Sequence, residues 1–191
     1  MLTGQKLVII TAPSGSGKTT IVNHLLKEIP QLSFSVSACT RPPRAGETNG
    51  VHYYFISVED FQNKIQEEAF AEYEMVYPGK YYGTLKSELA RIWQQQQFPL
   101  IDIDVHGAMR LKLFYGEQAL RLFIKAPSVE ELERRLRNRG TETEASLKER
   151  LDKAAHELSF ADNFDHLLVN DDLPRACAEA ATIIRSFLNA E

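Results

Sequence analysis

Leu7-Val8-Ile9-Ile10-Thr11-Ala12-Pro13-Ser14-Gly15-Ser16-Gly17-Lys18-Thr19 is the stretch from which the rest of the chain can be read. Leu7 to Ile10 is a short, unbroken run of apolar, β-prone residues. A strand with one wet face alternates; an unbroken run fits a strand buried on both faces, as in a parallel sheet. A Gly- and Ser-rich turn follows. Lys18 to Glu28 then carries Ile21, Val22, Leu25 and Leu26 on one side of a helix. Strand, glycine-rich turn, Lys-Thr and helix form the context of a phosphate-binding P-loop. The glycines let backbone N–H groups turn inward around phosphate oxygens, and the helix N-terminus adds positive potential. On this reading Ala12, Pro13, Ser14, Gly15, Ser16 and Gly17 wrap bound phosphate groups. Lys18 reaches the outer phosphates, and the Thr19 hydroxyl ligates Mg²⁺. Ala12 stands where the strict pattern has Gly.

Outward from this stretch, apolar runs recur. Phe34 to Ser37, Pro99 to Val105, Ala119 to Ile124 and His166 to Val169 read as strands. Glu130 to Arg139, Ala145 to Phe160 and Leu173 to Leu188 read as helices. The alternation of strands and helices gives an α/β class with a parallel sheet. Two segments, roughly 38–96 and 137–160, stand outside it. Thr40 to Glu47 is rich in Arg, Pro and Gly. Asn49-Gly50 is a two-residue hairpin signal ahead of Val51 to Phe55. Ser57 to Glu68 and Leu85 to Gln96 read as helices, and Tyr81-Tyr82-Gly83 as the end of a loop. The segment is an α+β insertion with a small sheet of its own.

Composition narrows the function. The 191 residues are 43% hydrophobic and 25% charged, with a net charge of −4. A chain of this length buries roughly 70% of its unfolded surface, enough for one compact unit without staples. The acidic balance argues against a nucleic-acid binder, which carries a net basic face. Two cysteines, Cys39 and Cys177, show neither a disulfide framework nor zinc spacing, which suits a reducing compartment. The apolar run at Leu7 is too short for a membrane span or a signal-peptide core. The expectation is a cytoplasmic protein without a membrane or nucleic-acid partner, whose oligomeric state the sequence leaves open.

Two further features carry chemistry. Asp102 and Asp104 lie on the otherwise apolar run Pro99 to Val105, and alternation puts both carboxylates on one face. Beside a P-loop their natural counter-charge is Mg²⁺; the alternative is a helix cap or a structural ion pair. The second feature is cationic. Arg41 and Arg44 flank a Pro-rich turn, and Arg134, Arg135, Arg137, Arg139 and Arg150 cluster later. Arg135 and Arg139 are four apart, on one helix face. Planar guanidinium groups suit phosphate oxygens and the charge of a transition state. The alternative for this cluster is a solvated helix face.

From end to end the chain resembles guanylate kinase, the family that phosphorylates GMP with ATP. The resemblance rests on Pro13 to Thr19, Ser37, Thr40 to Glu47, Asn49-Gly50, Tyr53, Tyr81 to Thr84, Asp102-Ile103-Asp104 with Gly107, Arg139 to Glu144 and Val169 to Asp172. It implies a P-loop nucleoside monophosphate kinase in three parts. These are a parallel-sheet core (1–37, 97–136 and 161–191), a GMP-binding insertion (38–96) and a helical lid (137–160).

Carried over residue by residue, Ser37, Arg41, Arg44, Tyr53 and Tyr82 clamp the GMP phosphate. Glu72 reads guanine, Thr84 assists at the base edge, and Glu47, Asp102 and Asp104 serve the GMP side. Asn170 contacts the adenine of ATP, and Asp102 joins Thr19 at Mg²⁺. Arg135, Arg139 and Arg150, with Lys18 and Arg41, steady the transferring phosphoryl group. Four departures are visible: Ala12 in the P-loop, His106 where Gln is common, Tyr73 where Trp is frequent, and a loop at 75–80 one residue longer than in some members. The resemblance implies ATP and GMP as ligands and a place in GTP and dGTP supply and GMP recycling; no 2′-hydroxyl reader is identified among these residues, and the sequence leaves dGMP acceptance open. Scaffold domains of the same fold bind peptides and typically lose the P-loop, which is intact here. A kinase for another phosphate acceptor would not need Glu72, Ser37 and the tyrosines together.

Overall fold

The computed structural model describes residues 5–138 and 144–190. In chain order the strands are β1 (Leu7–Thr11), β2 (Leu32–Phe34), β3 (Ala38–Cys39), β4 (Tyr54–Phe55), β5 (Phe70–Tyr77), β6 (Lys80–Leu85), β7 (Phe98–Asp102), β8 (Ala119–Lys125) and β9 (His166–Val169). The α-helices are α1 (Lys18–Glu28), α2 (Val58–Gln66), α3 (Lys86–Gln94), α4 (Val105–Tyr115), α5 (Val129–Arg137), α6 (Glu144–Leu158) and α7 (Leu173–Asn189).

Five strands form one parallel sheet in the order β2-β7-β1-β8-β9. β1 lies at its centre with Leu7, Val8, Ile9 and Ile10 all at 0% exposure, as its unbroken apolar run requires. Val8 and Ile10 turn to one face, where Ile21 and Leu25 of α1 and Ala180 and Ile184 of α7 pack on them. Leu7 and Ile9 turn to the other, against Leu89 of α3 and Ala108 and Leu111 of α4. The parallel register brings the C-terminal ends of β1 and β7 to one level, with Ile10 opposite Asp102. Loops at that edge of an open α/β sheet are where ligands bind.

A second sheet, β4-β3-β6-β5, belongs to the inserted segment. Its core is aromatic: Phe61 of α2 stacks on Phe70 at 4.3 Å and on Tyr81 at 5.3 Å. The junction between the sheets is polar. The buried carboxylate of Glu88, on α3, accepts from the Val36 N–H (3.2 Å), where the chain leaves the first sheet, and from the Tyr54 hydroxyl (3.2 Å) of the second. Arg91 Nε (3.0 Å) and Nη2 (2.8 Å) complete its partners. Helices α5 and α6 bury Leu132, Leu136, Leu147 and Ala154 against each other.

Several sequence expectations are revised. The run from Pro99 is a strand only to Asp102; Asp104 is the N-cap of α4 and accepts from the Gly107 N–H at 2.8 Å. A carboxylate two residues past a strand competes better as a cap than as a strand residue. The strand expected at Phe34 to Ser37 ends at Phe34. Asn49-Gly50 does not make a hairpin, because Tyr54–Phe55 pairs parallel to Ala38–Cys39. Asn49 Oδ1 instead accepts from the Phe55 N–H at 2.8 Å and closes a wide loop. Tyr81 to Gly83 lies inside β6, paired to β5. The helix that ends the insertion, α3, packs Leu89 on the first sheet.

Candidate functional site

The carboxyl ends of β1 and β7 open into a cleft of about 600 Å³. The P-loop forms one wall. Gly15 and Gly17 have φ of 95° and 91°, backbone that only glycine adopts freely. Gly17 also has no room for a side chain, since a Cβ there would lie 2.3 Å from Asn170 Nδ2. No side chain caps α1, so its first N–H groups remain available to the cleft. Behind the loop, the buried Asn170 amide donates to the Ser16 carbonyl at 2.8 Å. Arg135 Nη2 donates to the Asn170 carbonyl at 2.9 Å, while its Nε is held by Glu131 at 2.7 Å. The loop is thus supported through a chain of hydrogen bonds from β9 and α5.

Lys18 Nζ and Asp102 Oδ1 pair directly across the cleft floor. Thr19 lines the cleft beside them. From α6, Arg150 Nη1 donates to Ser14 Oγ at 2.8 Å, bridging that helix to the loop.

The opposite wall carries Ser37, just before β3, with Arg44, Tyr53, Glu72 and Tyr82 of the insertion. Tyr53 and Tyr82 meet edge to face with centroids 5.9 Å apart. Burial, then the Asp102 charge, pushes the Tyr53 phenol up to about 12, so it is a donor throughout the neutral range. The Arg41 guanidinium sits over the Tyr53 ring, 5.0 Å from its centroid, and pairs through two bonds (2.5 and 2.7 Å) with Glu47. Glu47 also accepts from the Arg44 N–H at 2.7 Å. Hydrogen bonding to Arg41 draws the Glu47 carboxyl down to about 2. Glu47 therefore orients the Arg41 guanidinium and ties down the backbone at Arg44, and it does not line the cleft.

Glu72 is 6% exposed. Its Oε1 accepts from the Thr84 N–H (3.0 Å) and hydroxyl (2.7 Å). Its Oε2 fits against the bare Cα of Gly107, where a Cβ would stand 2.8 Å away. Burial raises the carboxyl to about 7 despite the Thr84 bonds that stabilise its charge. A buried carboxylate of this kind, open to a cleft, is an acceptor waiting for paired donors.

A family model for guanylate kinase matches residues 4–187 of the chain. The chain belongs to the guanylate kinase family. It is 47% identical over 186 residues to a guanylate kinase of Bacteroides thetaiotaomicron, covering 97% of this chain and 91% of that protein. It is 48% identical over 187 residues to one of Salinibacter ruber, covering 97% and 98%. The crystal structure of guanylate kinase from Anaplasma phagocytophilum superposes with a TM-score of 0.80 at 29% identity, over 100% of this chain and 90% of that one.

Among the residues expected from the sequence to form the site, the structure gathers Ala12 to Gly15, Gly17 to Thr19, Ser37, Arg44, Tyr53, Glu72, Tyr82, Asp102, Asp104 and Arg150 around one cleft. Ser16, Arg41, Glu47, Thr84, Arg135 and Asn170 sit behind that lining, bonded to residues that form it or to one another. Arg139 lies outside the described residues. Of the readings weighed for Asp102 and Asp104, the structure shows the structural one, with Asp102 ion-paired to Lys18 and Asp104 capping α4, and both residues line the cleft. Lys153 and Glu157 of α6 and Glu74 of β5 also line it. Sequence reading missed them because an amphipathic charged helix and an exposed strand look alike whether or not a cleft lies opposite.

Proposed function

We propose that the cleft transfers the γ-phosphoryl group of ATP to GMP, directly and without a covalent enzyme intermediate, with its residues divided between the two walls. One observation carries the reading: the P-loop Lys18 and the buried Glu72 open onto the same cleft. Glu72 accepts from guanine N1–H and the 2-amino group together, a donor pair that adenine lacks. Ser37, Arg44, Tyr53 and Tyr82 hold the GMP phosphate, with Arg41 aimed by Glu47; two guanidinium groups and hydroxyl donors suit a dianion. Thr84 fixes Glu72, and Asp104 borders the same end.

On the ATP side the backbone of residues 12–17 and the Lys18 ammonium take the phosphates, and Asn170 serves by holding the loop's shape. Thr19 and Asp102 fit Mg²⁺. Among the described residues there is no cluster of three acidic or imidazole side chains for a metal cage, and a phosphate-borne Mg²⁺ needs only one or two protein oxygens. When bound, Mg²⁺ neutralises charge on the phosphates. Arg150 and Arg139 add cationic stabilisation, while Arg135 acts from behind the P-loop by holding the Asn170 carbonyl. The three-part division into core, GMP-binding insertion and lid follows from these roles, with closure excluding water. No contact in this scheme reads the 2′-hydroxyl, so dGMP is an acceptor too. Among the described residues no helix is long and apolar enough to cross a membrane, and the reading assigns the reaction to the cytoplasm.

Incubation with ATP, Mg²⁺ and each nucleoside monophosphate in turn tests the assignment. The expected product is GDP, with AMP, CMP and UMP converted far more slowly. Lys18→Met removes the P-loop charge at similar length and lowers kcat by about 10² or more. Turnover of that variant close to wild type would remove Lys18 from the mechanism.

A further inference from the structure

Helix α6 turns Arg150, Lys153 and Glu157 toward the cleft at helical spacing. Glu157 is the unusual one, being 8% exposed. The other buried or half-buried acids of the cleft have donors: Glu72 from Thr84, Asp102 from Lys18, Asp104 from the Gly107 N–H. The nearest cation to Glu157 is Lys153 at 4.0 Å, beyond hydrogen-bond reach, and no donor bonds its carboxylate among the described residues. Its side chain is largely buried while its carboxylate faces the cleft without a donor among the described residues, which leaves it free to accept from a donor that moves within the cleft.

The donor is near. Burial pushes the Glu157 carboxyl up, while Lys153 and then Lys18, across the cleft, draw it down; Asp104 opposes them. Lys18 Nζ has three N–H donors, of which Asp102 engages one. Phosphates in the P-loop carry more charge than Asp102 and compete for that ammonium.

We propose that Glu157 is a positioning residue for phosphoryl transfer: it accepts a hydrogen bond from Lys18 Nζ as bound phosphates draw the ammonium off Asp102, and so couples α6 to the filling of the P-loop. The neutral isostere Glu157→Gln keeps the side chain's shape. It lowers kcat about tenfold, less than the loss of a direct oxyanion donor. The KM for GMP stays within about twofold. Affinity for a non-hydrolysable ATP analogue does not weaken, because the change also removes a negative charge from the phosphate cleft. A merely structural role would instead lower binding and turnover together.

The inference rests on the phosphoryl-transfer reading, and two measurements separate the failures. If the wild-type protein makes no GDP, the reading itself fails. If wild type turns over and Glu157→Gln retains kcat within about twofold, or loses analogue affinity in proportion to kcat, only the role of Glu157 falls. A double-mutant cycle tests the route through Lys18: in the Lys18→Met background, Glu157→Gln lowers the residual kcat by less than about twofold. A full tenfold loss in that background would overturn the coupling. Glu157→Asp keeps the charge but retracts it, and its kcat falls between the wild type and the Gln variant. Asp and Gln variants that matched would show that the charge does not matter.

Discussion

Glu72 shows how one side chain is prepared by its surroundings. Its carboxyl titrates near 7 because burial outweighs the two bonds from Thr84. The folded value lies above the unfolded one, so the folded protein binds more protons between the two. Stability from this group is therefore fully present below about pH 4.5 and is lost as pH rises toward about 7. Glu72→Gln removes the effect, so in calorimetry its Tm relative to wild type rises between about pH 5 and pH 8. On the proposed reading ligand binding runs the other way, because guanine would need Glu72 as the ionised acceptor. Guanosine, which has no phosphate to titrate, should bind about tenfold more weakly at about pH 5.5 than at pH 8. A guanosine affinity flat across that range would mean that Glu72 does not read the base. The Gln variant should also narrow the preference for GMP over AMP, since an amide presents one donor where two acceptors stood.

At the scale of elements, the P-loop is held from outside itself. The Asn170 amide, from the end of β9, donates to the Ser16 carbonyl and occupies the space that a Gly17 side chain would need. Asn170→Ala leaves a buried carbonyl without its donor, at a cost of about 1–3 kcal/mol. We expect the loss to fall on the loop: affinity for an ATP analogue drops about tenfold, while GMP binding persists, because the two walls come from different elements. Isothermal titration with each nucleotide separately reads both. Equal losses on the two sides would point to a general loosening of the core. Arg135 belongs to the same support, since its guanidinium ends on the Asn170 carbonyl rather than in the cleft.

At the scale of the whole molecule, Glu88 forms a junction between the two sheets. This carboxylate is 3% exposed, and it joins the segment leaving the first sheet to the second sheet through Val36, Tyr54 and Arg91. Glu88→Ala would strand the Val36 N–H and the Tyr54 hydroxyl, groups that water reaches poorly. A loss of about 2 kcal/mol for such a network corresponds to a fall in Tm on the order of 5 °C in a chain of this size. Because the junction orients the proposed GMP wall against the P-loop wall, KM for GMP should rise as well. A lowered Tm with unchanged KM would make the junction a source of stability alone.

Much of this was legible from residues alone. An unbroken apolar β1, glycines at the turn and Lys18-Thr19 specify a buried central strand and a phosphate loop by local rules, and the 3.6-residue spacing of Ile21, Val22 and Leu25 specifies α1. Those features depend on neighbours in the chain. The second sheet was legible only as a change of texture, because its pairings join Ala38–Cys39 to residues far along the sequence, and local signals such as Asn49-Gly50 compete with them and lose. The roles of Glu47, Glu88, Asn170 and Glu157 lay beyond sequence reasoning for the same reason. A Glu on a charged helix or in an Arg-rich turn looks solvated until packing removes its water. Only the tertiary structure decides which carboxylates are buried, which of them meet a guanidinium or a backbone N–H, and which, like Glu157, face a cleft with no donor in reach.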